Sequence, residues 1–467
     1  MSKLPRNFLS MLIRFSVSNF LSFKDPVEFS MTATRERHHS ERVFYDDRSG
    51  VRLVPVAAIF GANASGKSNF YRSVQFLRRL VLRQPQAPEE QIANEPFKLD
   101  DGESATLPAR FVIEILPRET HFRLTVAVAR DGYVEEQLEE IRGERAILIY
   151  SRHRSETGIF IWNTEPLQRR AAMNQDREFI HFKTRDTLPN QMFLTSLRGK
   201  NVPVVDEIVG WFSDQLALML PDSTFKLLEF NLPTTLGLRE FCNEALRGAG
   251  TGIFEIRPEN VAWDDFPAPT EIKEEIKKKL AEGQITYLLW PDGRRFSVMR
   301  RNGKLRVARL YTHHKSESGK MVRFELSNES EGTQRLMDLL PAFFEMVRPG
   351  RPKVFVIDEL DRSLHTLLAH HLIRSYLAAM STSARSQLIF TTHDVTLLDQ
   401  DLLRRDEIWL VKKSDDGAST LAPLANVEGL RHDKDIRKSY LMGEFGGTPR
   451  LTRSLFKLGS PDKEPQE

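Results

Sequence analysis

The sequence predicts an α/β fold in which a mostly parallel sheet is covered by helices on both faces. A continuous apolar run over residues 54–60 stops at Gly61, and apolar residues at helical spacing follow it. The runs "KVFVI" and "QLIFTT", at 353–357 and 387–392, are also unbroken, and a helical pattern lies between them. Strands buried on both faces have this apolar character, and strands that alternate with helices form parallel sheets. These segments therefore belong to one covered sheet.

The composition is that of a globular protein. Of the 467 residues, 40% are hydrophobic and 28% are charged, and 67 basic against 64 acidic residues give a net charge of +3. This total does not by itself indicate nucleic acid or a membrane surface as a partner. No run of eighteen apolar residues occurs, so no membrane partner is expected. Cys242 is the only cysteine, which excludes an internal disulfide and favours a reducing, cytoplasmic compartment.

The first 150 residues predict two strands, a loop followed by a helix, and an antiparallel lobe. Residues 12–18 alternate between apolar and polar types, which predicts a half-buried strand rather than a signal peptide. Residues 27–31 repeat this pattern. Alternation returns over 110–150, and we expect these strands to form a lobe inserted after the first helix.

The middle of the chain, residues 151–320, is less regular, and we expect a helical and β-strand insertion there. A helix is predicted over 204–220 and a charged helix from Thr270, with Gly283 as its stop signal. Two hairpins are predicted to follow, turning at "PDG" and "RNG".

The third part, residues 321–451, returns to alternating helices and buried strands. Helices are predicted over 332–347, where Pro341 would bend or interrupt the helix, and over 364–380. "EIWLV" is a further buried strand. The remaining residues, 452–467, are polar and are expected to form a flexible tail.

The stretch "GANASGKS", Gly61 to Ser68, has the G-x-x-x-x-G-K-S spacing of a phosphate-binding loop. Gly61 and Gly66 would let the backbone wrap around phosphates at a helix start. Lys67 would reach the outer phosphates, and Ser68 would ligate magnesium. A Gly- and Ser-rich turn can match this spacing by accident. The preceding strand and following helix favour a nucleotide site.

Two acidic residues, Asp358 and Glu359, end the buried strand "VFVI". Ligands of parallel sheets bind at this carboxyl edge. One carboxylate can hold magnesium while the next orients or deprotonates water, and this division assigns magnesium to Asp358 and the base role to Glu359. The alternative is a solvated acidic turn, which the length and purity of the strand disfavour.

Two further features favour a phosphate site only in combination with the others. His393 follows "LIFTT" at the same sheet edge and could hydrogen-bond a terminal phosphate, although a lone histidine there is more often structural. Ser330 and Gly332 precede a helix whose start attracts anions. Taken alone, this would simply be a capped helix.

The order of these motifs resembles the ATPase head of ATP-binding-cassette proteins, also found in chromosome-maintenance and recombination-repair ATPases. The matching stretches are "GANASGKS" with Asn63, "ESEGTQRL" as a degenerate signature, "VFVIDELDRSLH" as the acidic strand and D-loop, and "TTHD" as the switch-histidine segment. The resemblance covers residues 12–150 and 322–412. It implies a P-loop NTPase fold with a mixed sheet, an inserted antiparallel β lobe and an α+β insertion. Its implied cofactors are ATP and Mg²⁺.

A closer resemblance is to ATPases of the overcoming-lysogenization-defect type and their nuclease-free relatives in prokaryotic antiviral systems. "MLIRFSVSNFLSFKD", "DELDRSLH" and "YLMGEFGGTPRL" carry this resemblance. Glu331 replaces a glycine of the transporter signature, and His365 stands where transporters carry the D-loop aspartate. Both departures occur in the nuclease-free group, and His365 is included among the nucleotide-binding residues. A glutamine sensor loop is also implied, for which Gln91 is the candidate.

The resemblance further implies a homodimer or higher homo-oligomer. The phosphate loop of one copy would meet the Ser330–Gly332 helix start of another across ATP, whose terminal phosphate the helix N–H groups would help to cage. Lys67, Glu359 and His393 would carry out hydrolysis. The residues after His393 are too few for the nuclease domain that related two-domain proteins carry there. We therefore expect an ATPase that controls a separately encoded effector, a nuclease, in antiphage defence.

Other functions stay open at this point. A DNA-repair ATPase of the recombination type would bind DNA directly, but no long coiled coil is visible. A transporter ATPase would need a membrane partner. Eight basic residues with no acidic residue among them lie within 294–315, and on hairpin strands they could form a face for nucleic acid or an acidic partner. A solvated surface is the alternative, because no aromatic stacking pattern accompanies them.

Overall fold

The computed structural model describes residues 10–171, 173–200, 202–223, 228–350, 352–380, 385–427 and 434–448. The predicted tail and the last three residues of the "YLMGEFGGTPRL" stretch lie outside them. In chain order the strands are β1 (Met11–Ser18), β2 (Val27–Ser30), β3 (Phe44–Tyr45), β4 (Arg52–Leu53), β5 (Val56–Phe60), β6 (Ala109–Leu116), β7 (His121–Ala129), β8 (Gly132–Arg142), β9 (Arg145–Arg154), β10 (Phe160–Asn163), β11 (Leu216–Met219), β12 (Ile253–Val261), β13 (Ile285–Leu289), β14 (Arg295–Arg301), β15 (Lys304–Lys315), β16 (Met321–Glu325), β17 (Val354–Ile357), β18 (Gln387–Thr391), β19 (Ile408–Lys413) and β20 (Ser419–Pro423). The helices are α1 (Lys67–Leu82), α2 (Glu165–Arg170), α3 (Asn174–Asp186), α4 (Phe193–Ser196), α5 (Pro203–Gly210), α6 (Leu228–Thr234), α7 (Leu238–Gly248), α8 (Thr270–Lys279), α9 (Glu331–Val347), α10 (Thr366–Ala379) and α11 (Ile436–Leu441).

The central sheet has the strand order β11-β17-β18-β5-β19-β20. Neighbouring strands from β11 to β19 run parallel, and β20 pairs antiparallel with β19. Ala57 and Ile59 of β5 pack with α1 on one face, whereas Val56, Ala58 and Phe60 pack with α9 and α10 on the other. Helices therefore cover both faces of the parallel strands, which confirms the predicted mixed α/β architecture.

An antiparallel sheet with the order β10-β9-β8-β7-β6-β1-β2 lies beside the central sheet. β1 pairs with both β2 and β6, so the lobe that follows α1 is continuous with the amino-terminal strands. Phe15 and Phe29 pack against Phe70 of α1, with ring centroids 5.8 and 5.0 Å apart respectively. The alternating patterns over 12–18 and 27–31 predicted these strands correctly.

The prediction of a single insertion over 151–320 is wrong at its amino-terminal side. β9 and β10 continue the antiparallel sheet to Asn163, and β11 pairs with β17 in the central sheet. The helix predicted over 204–220 ends as α5 at Gly210, a π-helical turn spans Trp211–Gln215, and residues 216–219 form β11. Residues 216–219, "LALM", form a strand because they pair with the buried strand β17. Such pairing outweighs the local preference of these residues for a helix.

The separate insertion consists of α6 to α8 and a five-stranded sheet formed by β12 to β16. Both predicted hairpins are present. Asn302 and Gly303, with φ of 54° and 72°, join β14 to β15 in the tight turn that this dipeptide favours. α8 ends at Lys279, before the predicted stop at Gly283, whose N–H donates instead to Arg300 O.

Polar contacts fix this insertion to the start of α9. Arg295 of β14 forms a 2.8 Å ion pair with Asp338, and both side chains are nearly buried. Thr312 and His314 of β15 contact the Glu329 carboxylate, with His314 Nε2 2.8 Å from Oε1. The insertion and the helix that carries the signature residues are therefore joined directly. Among the described helices, none combines the length and apolar character needed to cross a membrane.

Candidate nucleotide-binding site

The phosphate loop lies between the buried strand β5 and α1, as its sequence context predicted. A Cβ atom at Gly61 would lie 2.6 Å from both Ser65 Oγ and Val411 O. At Gly66, where φ is 115°, a Cβ atom would lie 2.4 Å from Ser419 Oγ. Because such contacts are far shorter than van der Waals separations and this φ favours glycine, both positions require glycine for the loop to keep its shape.

The Lys67 ammonium is held inside the curve of this loop. It donates to Gly61 O at 2.8 Å and Ala62 O at 3.0 Å, and it lies 3.3 Å from His393 Nδ1. Burial lowers the pKa of Lys67 to about 8, although nearby carboxylates, foremost Glu359, oppose this shift. A cation with so little access to water is poised to interact strongly with an anion.

The acidic strand end is organised by Thr391 of the neighbouring strand. Thr391 Oγ1 donates to Asp358 Oδ1 at 2.6 Å and accepts from Glu359 N at 2.7 Å. Asp358 is 3% exposed, and its N–H donates to Met219 O. Glu359 has a φ of 47°, a left-handed conformation that costs roughly 1–2 kcal/mol for a residue with a side chain. Such strain is typical of functional sites.

His393 lies between the lysine and the second carboxylate. While Nδ1 faces Lys67, Nε2 lies 3.7 Å from Glu359 Oε1. The His393 N–H donates to Asp361 Oδ2, and Asp361 Oδ1 is buried with no hydrogen-bond partner among the described residues. The structure therefore brings together Lys67, Asp358, Glu359 and His393, as the sequence predicted.

The predicted signature residues form a second group. Ser330 caps α9, and its Oγ accepts from Thr333 N at 3.1 Å. A Cβ atom at Gly332 would lie 2.6 Å from Ser363 O, so the D-loop backbone packs directly on the helix start. His365 caps α10, its Nδ1 accepting from a backbone N–H. Among the described contacts, none joins this group to Lys67 of the same chain.

The two groups are nevertheless linked within the chain. Arg335 of α9 is 6% exposed and donates to Glu359 O at 3.4 Å and to Leu220 O at 3.5 Å. Residues 359–365 run from the acidic strand end to the cap of α10. A displacement of the start of α9 would therefore be transmitted to the Glu359 backbone.

Three serine and asparagine side chains that support the phosphate loop were not predicted. Ser419 Oγ lies 2.6 Å from Ser65 O and 2.8 Å from Ser22 Oγ, and Asn69 Nδ2 donates to Ser22 Oγ at 2.8 Å. This network lies directly against Gly66. Ser22 could have been found, since it belongs to the "SNFLSFKD" stretch, but Ser419 carries no motif.

The structure does not bring Gln91 to the site. The preceding residue, Glu90, pairs with Arg83, which directly follows α1. Since α1 has 16 residues, this end lies about 24 Å from the phosphate loop. At the edge of the sheet where the acidic residues lie, the residues next to the end of β17 are 220–223, which follow β11. None of these four residues is a glutamine.

The predicted basic face is only partly available. Five of the eight basic side chains make internal contacts: Arg294 with Asp292, Arg295 with Asp338, Arg300 with two backbone carbonyls, Arg309 with Glu325, and Lys315 with the Phe254 ring. The exposed remainder consists of Arg301, Lys304 and Arg306. Internal ion pairing, which a charge count cannot reveal, reduces the surface expected from the sequence.

The residues present fit a nucleotide with magnesium. The glycine-lined loop and buried lysine fit phosphate groups. Within the described ranges, no group of three or more His, Cys, Asp or Glu side chains could hold a metal ion. Magnesium bound to a nucleotide needs no such cage, because one or two protein oxygens, phosphates and water complete its shell. Ser68, half-buried at the start of α1, and Asp358 are the residues that would hold it.

The site combines a phosphate loop between a buried strand and a helix with an acidic strand end two strands away in the same mixed sheet. This combination is that of a P-loop NTPase. The chain belongs to the family described as "AAA domain, putative AbiEii toxin, Type IV TA system", whose model matches residues 56–180 and 246–399, more than half of the chain. No curated protein matches it.

The solved structures that resemble the chain include three heads of SMC proteins. An Smc head bound to the C-winged helix domain of ScpA has 13% identity and a TM-score of 0.38, covering 88% of this chain and 96% of that one. An SMC head domain from Thermotoga maritima has 15% identity and a TM-score of 0.33, covering 88% of this chain and 98% of that one. The third is an Smc head domain with an extended coiled coil, bound to the C-terminal domain of ScpA derived from Pyrococcus furiosus. It has 11% identity and a TM-score of 0.36, covering 94% of this chain and 99% of that one.

The lowered pKa of Lys67 predicts that ATP affinity falls as the pH rises through about 8. The protonated lysine binds phosphate, so affinity is full below this pKa and is lost above it. With a free-state pKa of about 8, affinity should be about tenfold weaker at pH 9 than at pH 7. Titration calorimetry would measure it. Lys67→Arg, which stays charged, should lose this pH dependence, and a wild-type affinity that is constant from pH 7 to 9 would contradict the prediction.

The support of the phosphate loop predicts a selective effect of Ser419→Ala. Loss of one hydrogen bond to the loop should raise the KM for ATP about fivefold and change kcat at saturating ATP less than about twofold, because Glu359 and His393 follow other strands, β17 and β18. Steady-state hydrolysis assays would measure both constants. Ser414→Ala, in the turn before β20, is the matched control and should leave both unchanged, since Ser414 bonds within that turn. A fall in kcat with an unaltered KM would argue against this role.

Proposed function

We propose that this protein is a Mg²⁺-dependent ATPase in which two copies clamp ATP between them. The observation that carries the proposal is the division of the site into two groups within one chain. Lys67 lies with Glu359 and His393, while Ser330 caps a helix whose start is exposed and makes no described contact with that lysine. A second copy facing the first in the opposite sense would complete each site.

The residues of the first group divide the work of hydrolysis. Lys67 and the N–H groups of the loop bind the outer phosphates, and Ser68 and Asp358 hold magnesium. When bound, magnesium neutralises phosphate charge. Glu359 accepts a proton from the attacking water, and His393 hydrogen-bonds the terminal phosphate. The 3.7 Å separation of His393 Nε2 and Glu359 Oε1 supports a shared role of the two side chains in hydrolysis.

The second group supplies the partner's half of the cage. α9 has 17 residues, and its start combines unpaired N–H groups with the positive end of the helix dipole. The Ser330 hydroxyl and this helix start therefore favour the terminal phosphate bound by the other copy. Hydrolysis removes the shared phosphate, so ATP holds the dimer together and its loss releases it.

We further propose that this switch controls a separately encoded effector, a nuclease, in antiphage defence. The matching family's description names a toxin, which is in keeping with an ATPase linked to an effector. The insertion is the natural place for such a partner to act, because Arg295 and His314 connect it to α9. A DNA-repair ATPase is the second candidate, and the exposed Arg301, Lys304 and Arg306 favour it.

The ATP clamp predicts that Glu359→Gln binds ATP without hydrolysing it and doubles in mass in its presence. The substitution removes the base but leaves the phosphate-binding residues intact. Light scattering after size separation, with and without ATP, would measure the mass. Adding Ser330→Arg should abolish assembly but preserve ATP binding, whereas adding Lys67→Ala should abolish both. Persistence of the dimer in the Ser330→Arg variant would show that the pocket is not shared.

The effector hypothesis predicts a stable partner when the tagged chain is expressed with its neighbouring genes. We expect a second protein to copurify, and the complex to cleave nucleic acid in an ATP-dependent way. The Lys67→Ala chain should still capture the partner but lose ATP control, because only nucleotide binding is removed. Nucleic-acid cleavage by the isolated chain with Mg²⁺ and ATP would refute the hypothesis. Salt-sensitive duplex binding by the isolated chain would instead favour direct action on DNA.

A further inference from the structure

An exposed apolar patch lies on β16, which is an edge strand in the described part of the insertion. Along this strand, Met321, Val322 and Phe324 are 40%, 41% and 40% exposed. Val322 and Phe324 point to one face, because side chains alternate along a strand, while Met321 points to the other. We call Val322 and Phe324 the strand patch. Two adjacent apolar side chains on an unpaired edge strand leave an apolar surface open to contact.

The strand patch lies next to the signature residues. Phe324 is directly opposite Thr312, and Val322 is directly opposite His314, so these side chains share one face. The His314 and Phe324 rings are 4.9 Å apart. Thr312 and His314 both contact the carboxylate of Glu329, the residue immediately before Ser330. The patch therefore borders the helix start that would face a second copy.

A second apolar patch lies near the phosphate loop. Leu441 and Met442 are 59% and 73% exposed, and we call them the turn patch. They directly follow Tyr440, whose ring packs edge-on against Phe60 with centroids 6.5 Å apart. Phe60 is the last residue of β5 and precedes the phosphate loop. The Tyr440 hydroxyl donates to Gly447 O at 2.8 Å, and this hydrogen bond holds residues 440–447 in a turn.

We propose that the strand patch of one copy packs against the turn patch of a second copy when ATP joins them. This inference rests on the proposed ATP clamp. In that clamp the signature side of each copy faces the phosphate-loop side of the other, so a patch beside each half-site meets its counterpart twice in a symmetric dimer. The second copy is the occupant because each patch borders one half of the shared pocket and both surfaces are apolar. Their burial stabilises the ATP-bound assembly directly.

The test uses the full chain with Glu359→Gln, which retains ATP. Phe324→Glu should weaken ATP-dependent dimerisation by more than about tenfold in analytical ultracentrifugation, because a charge would be buried at the contact. Met321→Glu is the matched control, since it changes an equally exposed side chain on the opposite face of the same strand, and dimerisation should be unaltered. Adding Met442→Lys to Phe324→Glu should restore dimerisation, because the new charges would pair between copies.

Each outcome decides between the claims. The contact is supported if dimerisation is lost in Phe324→Glu, unchanged in Met321→Glu and recovered when Met442→Lys is added. Recovery of dimerisation also excludes misfolding as the cause of its loss. Unchanged dimerisation in Phe324→Glu and in Val322→Glu overturns the contact but leaves the ATP clamp intact. If the Glu359→Gln chain binds ATP and never assembles, the clamp itself is wrong. Loss without recovery by Met442→Lys overturns the assignment of the turn patch.

Discussion

The position of β5 between β18 and β19 is the constraint on which the site depends. Parallel pairing places the carboxyl ends of β5, β18 and β17 at one edge of the sheet. Residues more than three hundred positions apart along the chain, Lys67 and His393, consequently lie 3.3 Å apart. The hydrogen bonds of Thr391 then set the orientation of the Asp358 carboxylate and the Glu359 backbone. A different strand order would separate the phosphate loop from the acidic residues.

Electrostatics and packing in this site work against the stability of the isolated chain. A lysine is buried, Glu359 adopts a left-handed conformation, and the Asp361 carboxylate contains a buried oxygen without a hydrogen-bond partner among the described residues. Each of these is unfavourable alone. Ser22 and Ser419 hold the loop in shape nonetheless. Preorganisation of this kind favours phosphate, because little rearrangement is needed when the anion binds.

The insertion is fixed to α9, the helix that the proposed ATP clamp presents to a second copy. Its sheet is joined to α9 through the Arg295–Asp338 ion pair and through Glu329, which immediately precedes Ser330. Arg335 links the same helix to the Glu359 backbone. A partner bound to the insertion could therefore shift the signature helix and the acidic strand end together. The physical basis is a continuous set of polar contacts rather than a hinge.

The phosphate loop, the acidic strand end and the alternation of strands with helices were predictable from the residues alone, because they depend on local spacing and on unbroken apolar runs. That "LALM" forms a strand was visible only in the fold, since its partner β17 lies far along the chain. The tertiary structure likewise paired Arg295 and Arg309 internally and placed Ser419 beneath Gly66. Contacts between distant residues leave no periodic signal, so charge counts and motifs cannot reveal them.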